Sequence, residues 1–204
     1  MRTIVIHSGN LDRTHRYWLE HHKLRHEIFV NRLGWDMTCH NGMEYDQFDT
    51  IAARYVVVVD DADRVRAVSR LVPTSSPYMI ETLWPDWLEG TPPNNPNVWE
   101  ASRFGCCTSL TTQQRSEAIR LMLATIYNLS RSHRVENLLM VMPSFIFERI
   151  IRPCGYDVQY IGAERVIDRL RTRLASVPIG EAITAPLPCH TAPRVAQVME
   201  LPNA

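Results

Sequence analysis

This chain of 204 residues lacks several things that would narrow its chemistry at once. Lysine is almost missing: Lys23 is the only one among 22 basic residues. Arginine therefore carries the cationic chemistry, in a planar fork suited to bidentate carboxylate and phosphate contacts. Net charge is also missing, with 22 basic against 22 acidic residues, so the whole-molecule field draws neither nucleic acid nor an anionic membrane. No apolar run reaches transmembrane length, and Met1 to Ile6 runs into a strand-like segment with no signal-peptide pattern. A cytoplasmic location is the expectation. The five cysteines contain no CxxC pair, and their odd number fits reduced thiols. Cys39-His40 and Cys189-His190 lack partners at finger or ribbon spacing, so no metal is expected. The chain has no P-loop, no dinucleotide fingerprint and no G-x-S-x-G elbow around Ser75, Ser76 or Ser144.

What is present fits one globular domain over residues 1–204, with a poorly ordered tail expected from about residue 188. Thr3–Ser8 predicts a strand. Asp12 to Arg32 predicts a helix, with Trp18, Leu24, Ile28 and Phe29 at helical spacing and Arg25 sharing the face of Phe29. A polar loop from Met37 to Glu44 follows. Arg54–Val59 and Val65–Val72, joined by Asp60-Asp61-Ala62-Asp63, predict a hairpin. Tyr78–Leu88 reads as a short helix with Ile80, Leu83, Trp84 and Trp87 inward. Asn97–Cys107 reads as a strand, Thr112–Ser132 as the longest helix and Leu138–Met142 as a core strand. Phe145–Arg152 reads as a helix closed near Gly155, with strands at Tyr156–Ile161 and Arg169–Val177. Helices alternating with strands, one pair of them a hairpin, predict a mixed α/β sheet layered with helices.

The densest chemistry lies in Glu44-Tyr45-Asp46-Gln47-Phe48-Asp49, three carboxylates within six residues. Packed aromatics beside carboxylates desolvate them, and desolvated carboxylates need partners. Arg25, Arg70 and Arg103 are available to supply them. Two readings stand, a structural ion-pair network and a site for a ligand carrying charges of both signs. Glu100 and Arg103 fall on opposite faces of a regular strand, so a shared pocket requires a bulge or splay between them. Glu100 also has the chemistry of a base toward an amine.

These residues fall in ordered blocks: Leu24-Arg25-His26-Glu27-Ile28-Phe29, Arg32-Leu33-Gly34-Trp35, Asp46-Gln47-Phe48-Asp49, Ser69-Arg70-Leu71-Val72-Pro73, and Glu100-Ala101-Ser102-Arg103-Phe104. From Leu24 to Gly162 the chain resembles the acyl-homoserine-lactone synthases, the autoinducer synthases of bacterial quorum sensing. The resemblance implies a GNAT-like three-layer fold with a twisted, splayed mixed sheet flanked by helices. It implies an acyltransferase that uses S-adenosylmethionine and an acyl thioester, on acyl carrier protein or coenzyme A, with no cofactor. The α-amine attacks the thioester, and lactonisation then releases 5′-methylthioadenosine.

Carried onto this chain, the resemblance assigns Arg25, Phe29, Trp35, Asp46, Asp49, Arg70, Arg103 and Phe104 to S-adenosylmethionine. Glu100, with Arg70 and Arg103, is assigned to catalysis. Trp84, Met140, Met142, Ser144 and Phe147 are candidates for the acyl pocket. Arg149 and Arg152, with Arg115 or Arg120, are candidates for docking an acidic carrier. Trp84 stands where the family more often has phenylalanine, and the segment Val141-Met142-Pro143-Ser144 lacks the threonine that many makers of 3-oxo products have near the end of this strand, which disfavours such a product. Two other readings remain: a GNAT acetyltransferase using acetyl-CoA, and a non-catalytic acyl or adenosyl binding module. Ser109–Ser116 holds no glycine, unlike the turn that cradles a CoA pyrophosphate at a helix N-terminus.

Overall fold

A computed structural model describes residues 1–88 and 90–180. The predicted disordered tail and Cys189-His190 lie outside the described residues. The elements are β1 (Arg2–Ile6), α1 (Leu11–Arg25), β2 (Cys39–His40), β3 (Met43–Glu44), β4 (Arg54–Val59), β5 (Val65–Pro73), α2 (Met79–Leu83), β6 (Val98–Cys106), α3 (Thr112–Ser132), β7 (Asn137–Pro143), α4 (Ser144–Ile146), β8 (Gln159–Ile167) and β9 (Leu170–Pro178). The larger sheet has the hydrogen-bonded order β1-β4-β5-β6-β7-β9-β8, mixed in direction, and β2 and β3 form a separate small hairpin. Two compact units divide the fold: Met1–Arg70 with Arg103–Ile126, and Leu71–Ser102 with 127–180.

In the first unit β1 pairs antiparallel with β4, Arg2 opposite Val59 through Ile6 opposite Tyr55. The run Val56–Val59 is fully buried, as β-branched residues on a covered sheet face require. Asp12 lies in the first turn of α1 and His22, Lys23 and Arg25 in its last, matching the helix dipole. The helix then departs from expectation. His26–Arg32 winds as a π-helix, and the Trp35 N–H reaches back to the Phe29 carbonyl at 2.9 Å. Over seven residues the apolar spacing does not separate an i+4 from an i+5 winding, so this exit was invisible in the pattern. Such widened turns recur at functional sites.

The loop expected up to Glu44 contains the β2–β3 hairpin. Its two-residue turn is Asn41-Gly42, at φ of 52° and 70°. Positive φ at both central positions is what Asn-Gly supplies at little steric cost. The register pairs Cys39 with Glu44.

In the second unit β6 runs parallel to β7 from Val98–Asn137 to Ala101–Met140, and β7 pairs antiparallel with β9. The expected helix over Tyr78–Leu88 is shorter, because Pro85 starts a separate 3₁₀ turn, Pro85–Trp87. Ile80 and Trp87 are buried as expected, but Leu83 is 53% exposed, a correction to its predicted inward placement. Likewise the helix predicted from Phe145 is α4 followed by a π turn, Phe147–Ile151, and a 3₁₀ turn ending at Gly155 in the left-handed region. The β8–β9 register shifts between Ile161 and Arg165. The backbone displaced there wraps Trp87, whose indole N–H donates to the Ala163 carbonyl at 2.9 Å while Arg165 lies 4.8 Å over the ring.

Gly162 sits at φ of 61°, where a Cβ would lie 3.3 Å from Trp87 Cδ1 and 3.4 Å from its carbonyl oxygen. We expect Gly162→Ala to lower unfolding free energy by about 1–2 kcal/mol, from the left-handed backbone alone. Urea denaturation checks this, and an unchanged midpoint would mean that the bulge adjusts without cost.

Candidate active site

Three arginines and three carboxylates from four segments of the first unit meet in one buried cluster. Arg25 ends α1, and its side chain is fully buried. Its Nε donates to Glu44 Oε2 at 2.5 Å, and its two Nη atoms grip Asp49 at 2.7 and 2.9 Å, a bidentate pair. Arg70 on β5 donates to Asp46 and, at 3.0 Å, to Asp49. Arg103 on β6 donates to Asp46 at 2.6 Å and to Glu44 at 3.3 Å.

Local backbone chemistry aims the carboxylates. The Asn41-Gly42 turn puts Glu44 on a paired strand. Asp46 accepts the Phe48 N–H at 2.9 Å, and Asp49 accepts the Asp46 N–H at 2.9 Å, so both aspartates fold the loop that carries them. Tyr55 donates its hydroxyl to Asp49 at 2.8 Å, and the Glu44 carbonyl lies 2.8 Å from His22 Nδ1.

Arg103 has a φ of 52°, in the left-handed region that non-glycine residues seldom enter. The parallel register of β6 ends two residues earlier, at Ala101. The strand therefore departs from regular geometry at Arg103 itself. Such strain costs of order 1–3 kcal/mol and persists where surrounding contacts hold it, here the bonds to Glu44 and Asp46.

Burial acts against the charges of Asp49, Arg25, Arg70 and Arg103, and their partners decide the outcome. For Asp49 burial pushes the carboxyl up, but Arg25 and Arg70 outweigh it and hold it well below the usual range. For Arg25 burial pulls the guanidinium down, and Asp49 and Glu44 more than reverse that. Arg70 is likewise raised by Asp49 and Asp46 against burial. Arg103 is the exception: burial lowers it, and Glu44 and Asp46 recover only part. Its contacts to Glu44, at 3.3 Å, are the longer ones of the cluster.

Aromatic faces complete the site. Phe29 and Trp35 stack with centroids 5.2 Å apart and planes 18° from parallel, brought together by the π-helical exit. Arg103 lies 5.5 Å over Phe29 and Arg70 lies 5.6 Å over Phe48. Gly105 allows this packing, since a Cβ there would meet Ile28 at 3.0 Å and Phe29 at 3.7 Å.

Of the residues expected to hold S-adenosylmethionine, Arg25, Phe29, Trp35, Asp46, Asp49, Arg70 and Arg103 come together. Phe104 is the next residue on β6 and half-buried, and none of the bonds described above includes it. Glu100 belongs to the second unit, fully buried, where its Oε2 accepts the Ile80 N–H at 2.7 Å in the first turn of α2. Among the acyl candidates, Met140, Met142 and Phe147 are buried, Phe147 edge-on to Tyr160 at 5.7 Å. Trp84 is half-buried and edge-on to Trp87, and Ser144 donates to Glu164 at 2.7 Å. Arg149 is exposed, while Arg152 bonds Glu148 and the Val158 carbonyl and lies 5.5 Å over Tyr160.

Sequence reasoning counted Glu44 among the loop's acids and Phe48 among its packed aromatics without assigning either to the ligand, and it gave Tyr55 and His22 no role. For Glu44 a signal existed: three arginines against two aspartates leave one guanidinium without an anion, and Asn41-Gly42 marks the hairpin that delivers it. Removing Glu44 takes one anionic partner from each of two buried guanidiniums, Arg25 and Arg103. Glu44→Ala should destabilise the fold by roughly 3–5 kcal/mol, whereas Tyr55→Phe, which deletes one hydrogen bond, should cost only about 1 kcal/mol. Thermal or denaturant unfolding checks the pair, and equal effects would contradict the ranking.

Comparison with known proteins bears on the family and the fold. The family model described as autoinducer synthase matches residues 10–185. An acyl-homoserine-lactone synthase of Acinetobacter nosocomialis is 31% identical over 151 residues, covering 71% of this chain and 82% of that protein. The crystal structure of TofI, in a ternary complex with an inhibitor and MTA, superposes with a TM-score of 0.76 at 28% identity, covering 88% of this chain and 92% of that one. A structure described as that of an N-acetyltransferase from Lactobacillus plantarum gives a TM-score of 0.55 at 15% identity, covering 88% of this chain and 99% of that one, a likeness of fold alone. The fold is thus the mixed α/β, GNAT-like one expected, and the chain belongs to the autoinducer synthase family, the acyl-homoserine-lactone synthases, which are acyltransferases.

Proposed function

We propose that the acid–arginine cluster holds S-adenosylmethionine and that Glu100 accepts the proton of its α-amine. The observation that carries this reading is the buried, evenly charged set of Arg25, Arg70 and Arg103 against Glu44, Asp46 and Asp49. A zwitterion that also bears a sulfonium presents one anionic and two cationic groups. Arginines suit its carboxylate, aspartates suit its ammonium, and the stacked Phe29 and Trp35 offer faces to a cation. The MTA in the TofI complex supports an adenosyl ligand, because methylthioadenosine is what S-adenosylmethionine leaves behind in the reaction.

In this reading the amine loses a proton to Glu100, directly or through a water, and attacks the acyl thioester carbonyl. The amide forms and the carrier thiol leaves. A carboxylate oxygen of the methionine portion then attacks the carbon attached to sulfur, that C–S bond breaks, and the lactone and methylthioadenosine separate. Arg70 and Arg103 orient the carboxylate for the second step. Trp84, Met140, Met142, Ser144 and Phe147 remain the proposed acyl-chain residues. The donor is acyl carrier protein or acyl-CoA. Arg149 is exposed for carrier docking, while Arg152 already serves Glu148 and Val158. The reaction belongs in the cytoplasm, where S-adenosylmethionine and acyl thioesters are made.

Purified protein given S-adenosylmethionine and either acyl-CoA or acyl carrier protein should release methylthioadenosine and form a homoserine lactone, both followed by mass spectrometry. Glutamine at position 100 keeps an acceptor for the Ile80 N–H and loses the base. Glu100→Gln should therefore lower kcat by about 10²–10⁴-fold with S-adenosylmethionine binding retained. Full turnover in Glu100→Gln would remove the base assignment. Turnover in Asp46→Ala at the wild-type rate would remove the cluster from the site.

A further inference from the structure

Against the cluster lies an aromatic group that the reaction does not use. His21 stacks on Tyr55 with centroids 4.3 Å apart and planes at 29°, and its ring lies 4.1 Å from that of His22. His22 lies 4.1 Å from Tyr45 and stands edge-on to Trp18 at 4.6 Å. Both histidines are fully buried. His22 Nδ1 faces the Glu44 carbonyl at 2.8 Å, so the neutral ring carries its proton on Nδ1 and donates it there. Among the described residues, His22 Nε2 and both ring nitrogens of His21 make no hydrogen bond. Each ring reaches the cluster in one step: His22 through the Glu44 backbone, and His21 through Tyr55, whose hydroxyl bonds Asp49.

We propose that His21 and His22 are positioning residues for the cluster, two neutral imidazoles whose contacts fix Glu44 and Asp49, and that protonating them in acid dismantles the site. The proposal rests on the cluster being the S-adenosylmethionine site. It follows from geometry. A proton arriving on either ring would sit among Trp18, Tyr45 and Tyr55 with no acceptor, and His21 and His22 would repel each other across 4.1 Å.

The charged and titratable groups facing the pair come from every neighbouring element. α1 supplies Arg25, the segment after β2 supplies Glu44, Tyr45 and Asp49, β4 supplies Tyr55 and β5 supplies Arg70. Burial is the first force against a proton on His21, followed by His22 and Arg25, and its pKa lies well below the usual value. For His22 burial and then Arg25 lower it to about 4. Asp49 opposes these effects without reversing them. Asp49 itself stays ionised, and the phenols of Tyr45 and Tyr55 are raised and stay neutral. The unfolded chain takes protons on these histidines near the ordinary value of 6.5, whereas the folded chain resists down to about 4 at His22. Their contribution is therefore present above about 6.5 and is lost as pH falls from there toward 4.

The test compares urea unfolding at pH 7.5 and 5.5 in wild type and in the His21→Phe, His22→Asn double variant. Phenylalanine keeps the stack on Tyr55, and asparagine offers an amide N–H in place of Nδ1–H; neither takes a proton. The ratio of the folding equilibrium constants at the two pH values should be roughly tenfold larger per histidine in wild type than in the variant, since the unfolded histidines take protons near 6.5 and the folded ones do not. An equal ratio in both proteins overturns the proposal. Should the variant fail to fold, imidazole ¹⁵N spectra of the wild type decide: both rings neutral at pH 5.5, His22 protonated on Nδ1, support it, and titration near 6.5 overturns it. Failure of wild type to bind S-adenosylmethionine at pH 7.5 is a separate result, which overturns the site reading itself.

Discussion

Everything in the first unit turns on one fully buried guanidinium. Arg25 has no access to water, and its charge is tolerated only because Glu44 and Asp49 occupy three of its donors. Those carboxylates in turn require Arg103 and Arg70, and these require Asp46. The six charges form a closed, neutral ring of obligations. Apolar side chains of similar volume often replace such a group with no loss of stability, so stability alone is a weak reason to keep it. A ligand with charges of both signs is a stronger one, because a pre-oriented set of fixed dipoles and charges binds it with little reorganisation.

Apart from β5, which carries Arg70, the segments that feed the cluster depart from regular structure at the point of delivery. α1 passes into a π-helix that brings Trp35 against Phe29. A two-residue turn sets the register that buries Glu44. The Asp46–Asp49 loop is folded by its own carboxylates. β6 takes a left-handed residue at Arg103. Four local irregularities converging on one cluster are costly together, and they place the first unit's chemistry where local strain and local charge coincide.

Much of this was readable in the chain. The valine run of β4, the Asp60–Arg64 turn and Pro73 at the end of β5 define the hairpin through β-propensity and turn chemistry alone. The three acids and the three arginines announced mutual pairing because unpaired buried charge is so unfavourable. The ordered motif blocks named the family, and the family match and the fold agree with them. What escaped reading was geometry that has no periodic signature. The π winding of His26–Arg32 shares its residues with a good α-helix, and Leu83 faces outward because Pro85 cuts its helix short. No spacing singled out His22 or Tyr55, and only three-dimensional packing ties them to Glu44 and Asp49.

The central claim is that S-adenosylmethionine enters this cluster and exchanges partners with its arginines. The most direct measurement is the ¹⁵N guanidinium spectrum of the folded protein, with Arg25, Arg70 and Arg103 assigned by substitution, before and after addition of S-adenosylmethionine. The account predicts that the Arg70 and Arg103 signals move on saturation while Arg25, held on both sides, moves least. Binding that leaves all three signals in place would put the ligand elsewhere and contradict it.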